Sequence, residues 1–266
     1  MAKDMVAKKE TALTTVSPMS FENFAGVGLE DVSTQDLAIP FLRILGQLSP
    51  QVNKRDGAYV KDAEAGMMYN TVLNEAYDGT VGVSVIPCYY NRRYVEWTPR
   101  EKGGGYVTSY GPDDHAVHTT RKDDRNNDIL PNGNLLTNTA QYFVLLLHPE
   151  LGPQRCLITM TSTQLKKARV WTTNMQSLTA RNSEGKLYTL PMMSHVYDLR
   201  TVPESNDKGN WFGWEITRGR MLDEKAEEDV ELFQMAVAFS QSVRAGEVKV
   251  KEPTEELREA SDNVPF

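Results

Sequence analysis

The chain has 266 residues, 40% hydrophobic and 24% charged, which is ordinary globular material, long enough for one substantial domain with appendages. No apolar run approaches the roughly 18 residues of a membrane span, residues 1–10 are charged with no apolar segment behind them, and Cys88 and Cys156 are too few for a disulfide framework and have no partner at metal-ligand spacing. A membrane protein, a secreted protein and a zinc module are thereby set aside, and a reducing cytoplasm is the expected compartment.

Residues 1–20 are polar, rich in Lys, Thr and Ser, and lack apolar periodicity, so they read as a disordered N-terminal arm. Order is expected from Phe21. Ser33 or Thr34 can cap a short helix on which Leu37, Phe41, Ile44 and Leu45 share a side, ending by Gly46. A turn at residues 53–57 and an irregular or extended connection over 59–70 follow. Residues 81–97 alternate over an unusual length, a strand signal broken only at Pro87.

Residues 98–138 hold Gly103, Gly104, Gly105, Gly111, Pro112, Pro131 and Gly133 among charges and few aliphatics, so they read as long loops with room for one hairpin. Two β-rich runs, 141–148 and 155–161, flank a turn of Pro149, Glu150, Leu151, Gly152 and Pro153. A helix follows, capped by Ser162 or Thr163, with Leu165, Ala168, Trp171 or Thr172, and Met175 on one face. Strands at 192–201 and 211–218 surround a polar turn. Beyond them Leu222, Ala226, Val230, Phe233 and Val237 trace one side of a helix over 222–246. That stripe packs on its own domain or on a second copy, giving a homodimer through 222–245. Residues 247–266 have almost no aliphatic or aromatic content before the tip and read as a disordered acidic tail.

The fold class expected is mainly β with α additions. Residues 21–221 form the domain, and their element order, strand, long loop, strand, strand, helix, strand, strand, is that of an OB-fold. This is a five-stranded Greek-key barrel with a helix between strands 3 and 4, here with an N-terminal helix and a C-terminal helix added. Such a barrel presents the face of strands two and three to oligonucleotides.

A net charge of −7 argues at first against a nucleic-acid binder, which neutralises phosphates with Lys and Arg. Its distribution reverses that impression: residues 222–266 carry 12 acidic and 5 basic side chains, leaving residues 1–221 neutral. The strongest candidate for nucleic-acid contact is the strand containing Tyr89, Tyr90, Arg92, Arg93, Tyr94 and Trp97. Alternation puts Tyr90, Arg92 and Tyr94 on one face and Tyr89, Arg93 and Trp97 on the other. Rings stack on any base and arginines hold phosphates, which suits sequence-tolerant single-strand binding; the competing reading is that the rings fill the core. Arg100, Lys102 and Tyr106 extend this group, and Lys166, Lys167 and Arg169 on the central helix form a second. Arg218 and Arg220 form a third.

Enzyme chemistry finds little support. His115 and His118 near Asp113, Asp114, Asp123, Asp124 and Asp128 raise a metal-dependent nuclease as an alternative, but carboxylates on a mobile loop cannot hold a metal within catalytic tolerance. No phosphate-binding Gly loop followed by Lys and Ser or Thr occurs, and His148 and His195 stand alone in apolar strands. No catalytic residue, metal or cofactor is expected.

The chain ends on acids at Glu252, Glu255, Glu256, Glu259 and Asp262, then Asn263, Val264, Pro265 and Phe266. This resembles the tail tip of bacterial and bacteriophage single-stranded DNA-binding proteins, an acidic stretch followed by a Pro-Phe terminus. Asn263 departs from it, standing where the bacterial tip usually carries an acid. The resemblance implies a non-enzymatic protein that coats single-stranded DNA in replication or recombination. It also implies that Asp262, Val264, Pro265 and Phe266 recruit a polymerase, helicase, primase or nuclease, the ring filling an apolar pocket while the carboxylate meets a cation. A strand-annealing recombination protein is the nearest alternative.

Overall fold

The computed structural model describes residues 21–32, 37–207, 209–248 and 250, and its contacts divide the chain into a unit ending at Leu37 and one beginning at Ala38. In the first unit Phe21–Phe24 forms a 3-10 turn, and Phe21, Phe24, Val27 and Leu29 are exposed. The arm over 1–20, Ser33 and Thr34, and the acidic tail from 251 onward, with its tip, lie outside the described residues.

The second unit opens on a three-stranded antiparallel sheet of β1 (Leu42–Ile44), β2 (Met68–Asn70) and β3 (Glu75–Tyr77). The helix expected to run to Gly46 is therefore corrected to a strand. Over so short a window the same apolar residues satisfy periods of 2 and 3.6, and Pro40 biases the chain before it toward extended backbone. Tertiary packing decides: Leu42 is buried in the main core, while Arg43 turns the other way, placing its guanidinium over the Tyr69 ring and donating to Gln51 Oε1 at 2.9 Å.

The long strands come next. They are β4 (Val83–Trp97), β5 (Tyr106–Tyr110), β6 (Arg121–Lys122), β7 (Asp128–Ile129), β8 (Leu135–His148) and β9 (Gly152–Thr161). Helix α1 (Leu165–Ser177) starts behind a 3-10 turn, Ser162–Gln164, rather than on a side-chain cap from Ser162 or Thr163. A small hairpin, β10 (Thr179–Arg181) with β11 (Leu187–Thr189), precedes β12 (His195–Asn206), β13 (Gly209–Met221) and helix α2 (Glu227–Arg244).

An eight-stranded antiparallel sheet runs β13-β12-β4-β8-β7-β6, with β5 also on β4 and β9 on β8. It curls into a half-barrel. Among the described residues β9 and β13 do not pair; next to β9 lies the segment before β1, where Leu157 N donates to the Pro40 carbonyl at 2.8 Å and Phe41 bridges Leu157 in parallel. A close crossing fixes β12: Thr201 N donates to the Gly79 carbonyl and Thr201 Oγ1 to that of Gly66. A side chain at Gly79 would collide with both Thr201 Oγ1 and the Gly66 backbone, so only glycine fits.

Both faces of the sheet are covered where the strands are apolar. Inside the curl Val85, Tyr142, Ile158, Leu199 and Trp214 meet Ala168, Trp171 and Met175 of α1, residues spaced to share one side of that helix. Tyr142 stacks on Trp171 with centroids 4.3 Å apart, and its hydroxyl, 2.7 Å from both, donates to the Ala168 carbonyl and bonds Thr172 Oγ1. Outside it Ile86, Cys88, Phe143, Leu145 and Leu157 pack against Ala236 and Phe239 of α2. The C-terminal helix thus packs on its own domain. It also lies over the outer face of β8 and β9, the strand-two and strand-three surface expected to be open to an oligonucleotide. Burial of Cys88 and Cys156 pushes both thiols up to about 12, so they act as small apolar fillers.

Candidate nucleic-acid interface

Strand β4 outruns its own core. It pairs with β12 over Val83–Val85 and with β5 over Tyr94–Trp97; between these ladders residues 86–93 have no strand partner on that edge among the described residues. A bulge between Pro87 and Tyr89 resets the alternation against β8, so that Tyr90, Arg92, Tyr94 and Glu96 continue the inner face. Tyr89, Asn91, Arg93, Val95 and Trp97 continue the outer one.

On the inner face the Tyr90 ring lies 5.0 Å from the Tyr142 ring, which it meets tilted at the rim of the core. Arg92 extends past it. Its Nε and Nη2 donate to Tyr90 Oη at 3.3 and 3.1 Å, and its Nη1 donates to Asn138 Oδ1, diagonal to it on β8 and opposite Tyr94, at 3.2 Å. Both partners of this half-buried guanidinium are neutral, and among the described residues it makes no ion pair. Tyr94 follows, half-buried between Asn138 and Tyr110 in the register.

Beyond Tyr94 the strand is locked by a carboxylate. Glu96, 2% exposed, accepts from Tyr110 Oη at 2.5 Å, Asn134 Nδ2 at 2.6 Å and Asn132 Nδ2 at 2.8 Å. Burial alone would raise its pKa, but these three donors outweigh that and hold the carboxyl below its ordinary value; in return the Tyr110 hydroxyl is pushed up to about 12. The bonds tie the glycine-rich loop to the strand, so much of residues 98–138 is built structure around β5, β6 and β7. Alternation alone gave no sign that Glu96 points inward, though two Asn and a Tyr within reach of one acid are a usable signal.

Other candidate residues are distributed differently. Trp97, 6% exposed, stands edge-on to Tyr106, which is 39% exposed; Tyr89 leans on Phe143 and joins the outer core. Arg93 is half-buried on the outer face and makes no ion pair among the described residues, Arg100 and Lys102 lie in an exposed 3-10 turn, and the Lys102 ammonium sits over Gly133. On α1, Lys166 and Arg169 are exposed, but Lys167 is ion-paired with Glu204, which also accepts from Trp211 Nε1 at 2.7 Å and Gln164 Nε2 at 3.0 Å. Arg220 is likewise committed, bonding both oxygens of the buried Asp229 at 2.5 and 2.7 Å to fix the start of α2.

The loop acids are occupied locally. Asp114 caps the 3-10 turn at His115–His118 by accepting from Ala116 N, Asp123 accepts from Arg125 N and Asn127 N, and Asp128 pairs with Lys122 at 2.9 Å. Among the described residues no group of three or more His, Cys, Asp or Glu could hold a metal ion, and no helix is long and apolar enough to cross a membrane. His148 is satisfied as a hairpin residue: Nδ1 accepts from Glu150 N and Leu151 N, so Nε2 carries the proton and donates to Glu75 at 3.0 Å.

Fold and surface together define a mainly β protein whose curled sheet is backed by a helix on each face and extended by a tyrosine- and arginine-bearing β-arm, residues 90–97 of β4 paired with 135–142 of β8. The chain belongs to the Pam3 phage gp34-like protein family, whose model matches residues 8–249, a span that contains the whole half-barrel and both helices. Comparison with curated proteins and with solved structures returns no match.

Proposed function

We propose that this is a phage protein that binds single-stranded DNA during replication or recombination, and that it does so on the inner face of the arm. Arg92 carries this reading: a half-buried cation, held in place by neutral groups and flanked by Tyr90 and Tyr94, has a full charge to offer a phosphate and rings beside it for bases. Membership of a phage family supports the setting. The ladders β4–β8, β8–β9, β4–β12 and β12–β13 make up, in this reading, an OB-like module whose last ladder is open, with its DNA path displaced from the surface under α2 to the arm. In this reading Tyr106, Arg100, Lys102 and Arg93 supply outlying contacts and Lys166 and Arg169 a distant one, while Tyr89, Trp97 and Lys167 serve the scaffold. The tail tip at Asp262, Val264, Pro265 and Phe266 recruits a replication or recombination protein.

The test is titration of 5′-labelled oligo-dT, followed by anisotropy at two salt concentrations. Intrinsic tryptophan fluorescence is a poor substitute because Trp97, Trp171 and Trp214 are buried. Binding that weakens steeply with salt is expected; absence of binding at low salt overturns the proposal. Removing residues 263–266 is expected to leave oligo-dT affinity equal or higher and to abolish capture of the partner.

A further inference from the structure

The way Arg92 is held specifies more than a positive patch. A guanidinium has five N–H groups in a rigid fork. Tyr90 Oη takes the Nε side of that fork and Asn138 takes one N–H of Nη1, which leaves one N–H on each terminal nitrogen. Neither partner lowers the positive charge, whereas a carboxylate in either place would. Elsewhere in the chain the same kind of side chain is treated in the opposite manner: Arg220 is neutralised by both oxygens of Asp229, and Lys167 by Glu204.

Resting on the reading above, we infer that Asn138 is a positioning residue that holds the Arg92 fork without giving it a counter-charge and aims it at a single phosphodiester of the bound strand. A charge-assisted pair of bonds to one phosphate fixes the register of the strand on the arm, so that the neighbouring bases fall beside Tyr90 and Tyr94. An amide is the group that serves here. It accepts the Nη1 bond, as a carboxylate would, without adding the charge that would compete with the phosphate.

Asn138→Asp is the informative substitution, because it keeps the acceptor and changes only the charge. Oligo-dT affinity at low salt is expected to fall at least about tenfold, the salt dependence to lose about one phosphate contact, and the melting temperature to hold or rise. Arg92→Lys, which keeps charge but loses the fork, is expected to weaken binding about tenfold with the salt slope retained. Simple repulsion by the new acid is separated by repeating Asn138→Asp in an Arg92→Gln background, where the loss is expected to shrink to under about twofold. An Asn138→Asp protein that binds like wild type, an undiminished loss in the Arg92→Gln background, or displacement of oligo-dT from the wild type by poly-glutamate as readily as by unlabelled oligo-dT overturns the inference. Failure of the wild type to bind oligo-dT at all instead removes the reading on which it rests.

Discussion

Strands β4 and β8 are one ladder with two characters. Near Ile86 and Leu145 the pair is apolar on both faces, closed by α1 within and by α2 without; from Tyr90 to Glu96, opposite Tyr142 to Leu136, the inner face carries hydroxyls, amides, a guanidinium and a carboxylate. The first half is packed on both faces. The second half runs past the two large clusters: Val95, Trp97 and Leu136 are still buried there, but the inner-face Arg92 and Glu96 are held by hydrogen bonds. A polar side chain held this way can exchange a neutral partner or keep a free donor for a ligand, which a packed aliphatic cannot do. The difference teaches where to look for function in this fold: at the length by which a strand exceeds its core.

Breaking the first half should abolish structure without touching recognition. Phe239→Ala removes a fully buried ring that stands edge-on to Phe143, 6.2 Å between centroids, beneath the Arg155 guanidinium; a loss of about 3–5 kcal/mol is expected, measured by urea unfolding, with oligo-dT affinity unchanged wherever the variant is folded. A large affinity change in folded protein would contradict the division. Glu96→Ala crosses the boundary, leaving Tyr110, Asn132 and Asn134 without their shared acceptor. It is expected to cost about 1–3 kcal/mol and to raise hydrogen exchange in β5 above that in β12. Tyr94→Ala belongs wholly to the second half: a loss of about 1–3 kcal/mol in binding, with the melting temperature nearly unmoved, sharpens the contrast.

Acid should act on both halves in the same direction. Asp229 is held below the ordinary carboxylate value by hydrogen bonds from Arg220 and from Asp223 N, with the opposing effect of burial smaller. Glu96 is held low by its three donors despite burial. His195 is pushed below its ordinary value by burial and then by Arg218. For each depressed group the unfolded chain binds the proton more readily, so the stability it contributes is complete above its unfolded value and is lost as pH falls through the folded one. Thermal melts are expected to fall first below about pH 6.5, the usual histidine value, and more steeply below about pH 4, where the carboxylates protonate. A melting temperature that rises on acidification would refute these assignments.

Much of the scaffold could be read from the sequence, because long alternation and long helical stripes each leave one interpretation. The β4 strand begins at Val83 and ends at Trp97, close to where alternation over 81–97 places it, and α1 buries the Ala168, Trp171 and Met175 stripe. The split of Tyr90, Arg92 and Tyr94 from Tyr89, Arg93 and Trp97 holds as well. What alternation could not supply is which face lies over what. That Trp97 would lie beneath Tyr106, that Lys167 would meet Glu204, and that α2 would cover the outer face all depend on contacts between residues far apart in the chain. The strand at Leu42–Ile44 escaped detection because three residues are too few to separate two periods. Asn138 gave no local signal either, since its contact with Arg92 exists only through the register that sets it across from Tyr94 and diagonal to Arg92.

The central claim, that single-stranded DNA lies on the arm and not on the helix-covered half, is tested most directly by hydrogen exchange of the full chain with and without oligo-dT. The account expects protection over residues 89–97, 106–110 and 135–141, with 227–244 unchanged. Protection confined to the α2 side of the sheet, or none anywhere at saturating oligo-dT, would contradict it.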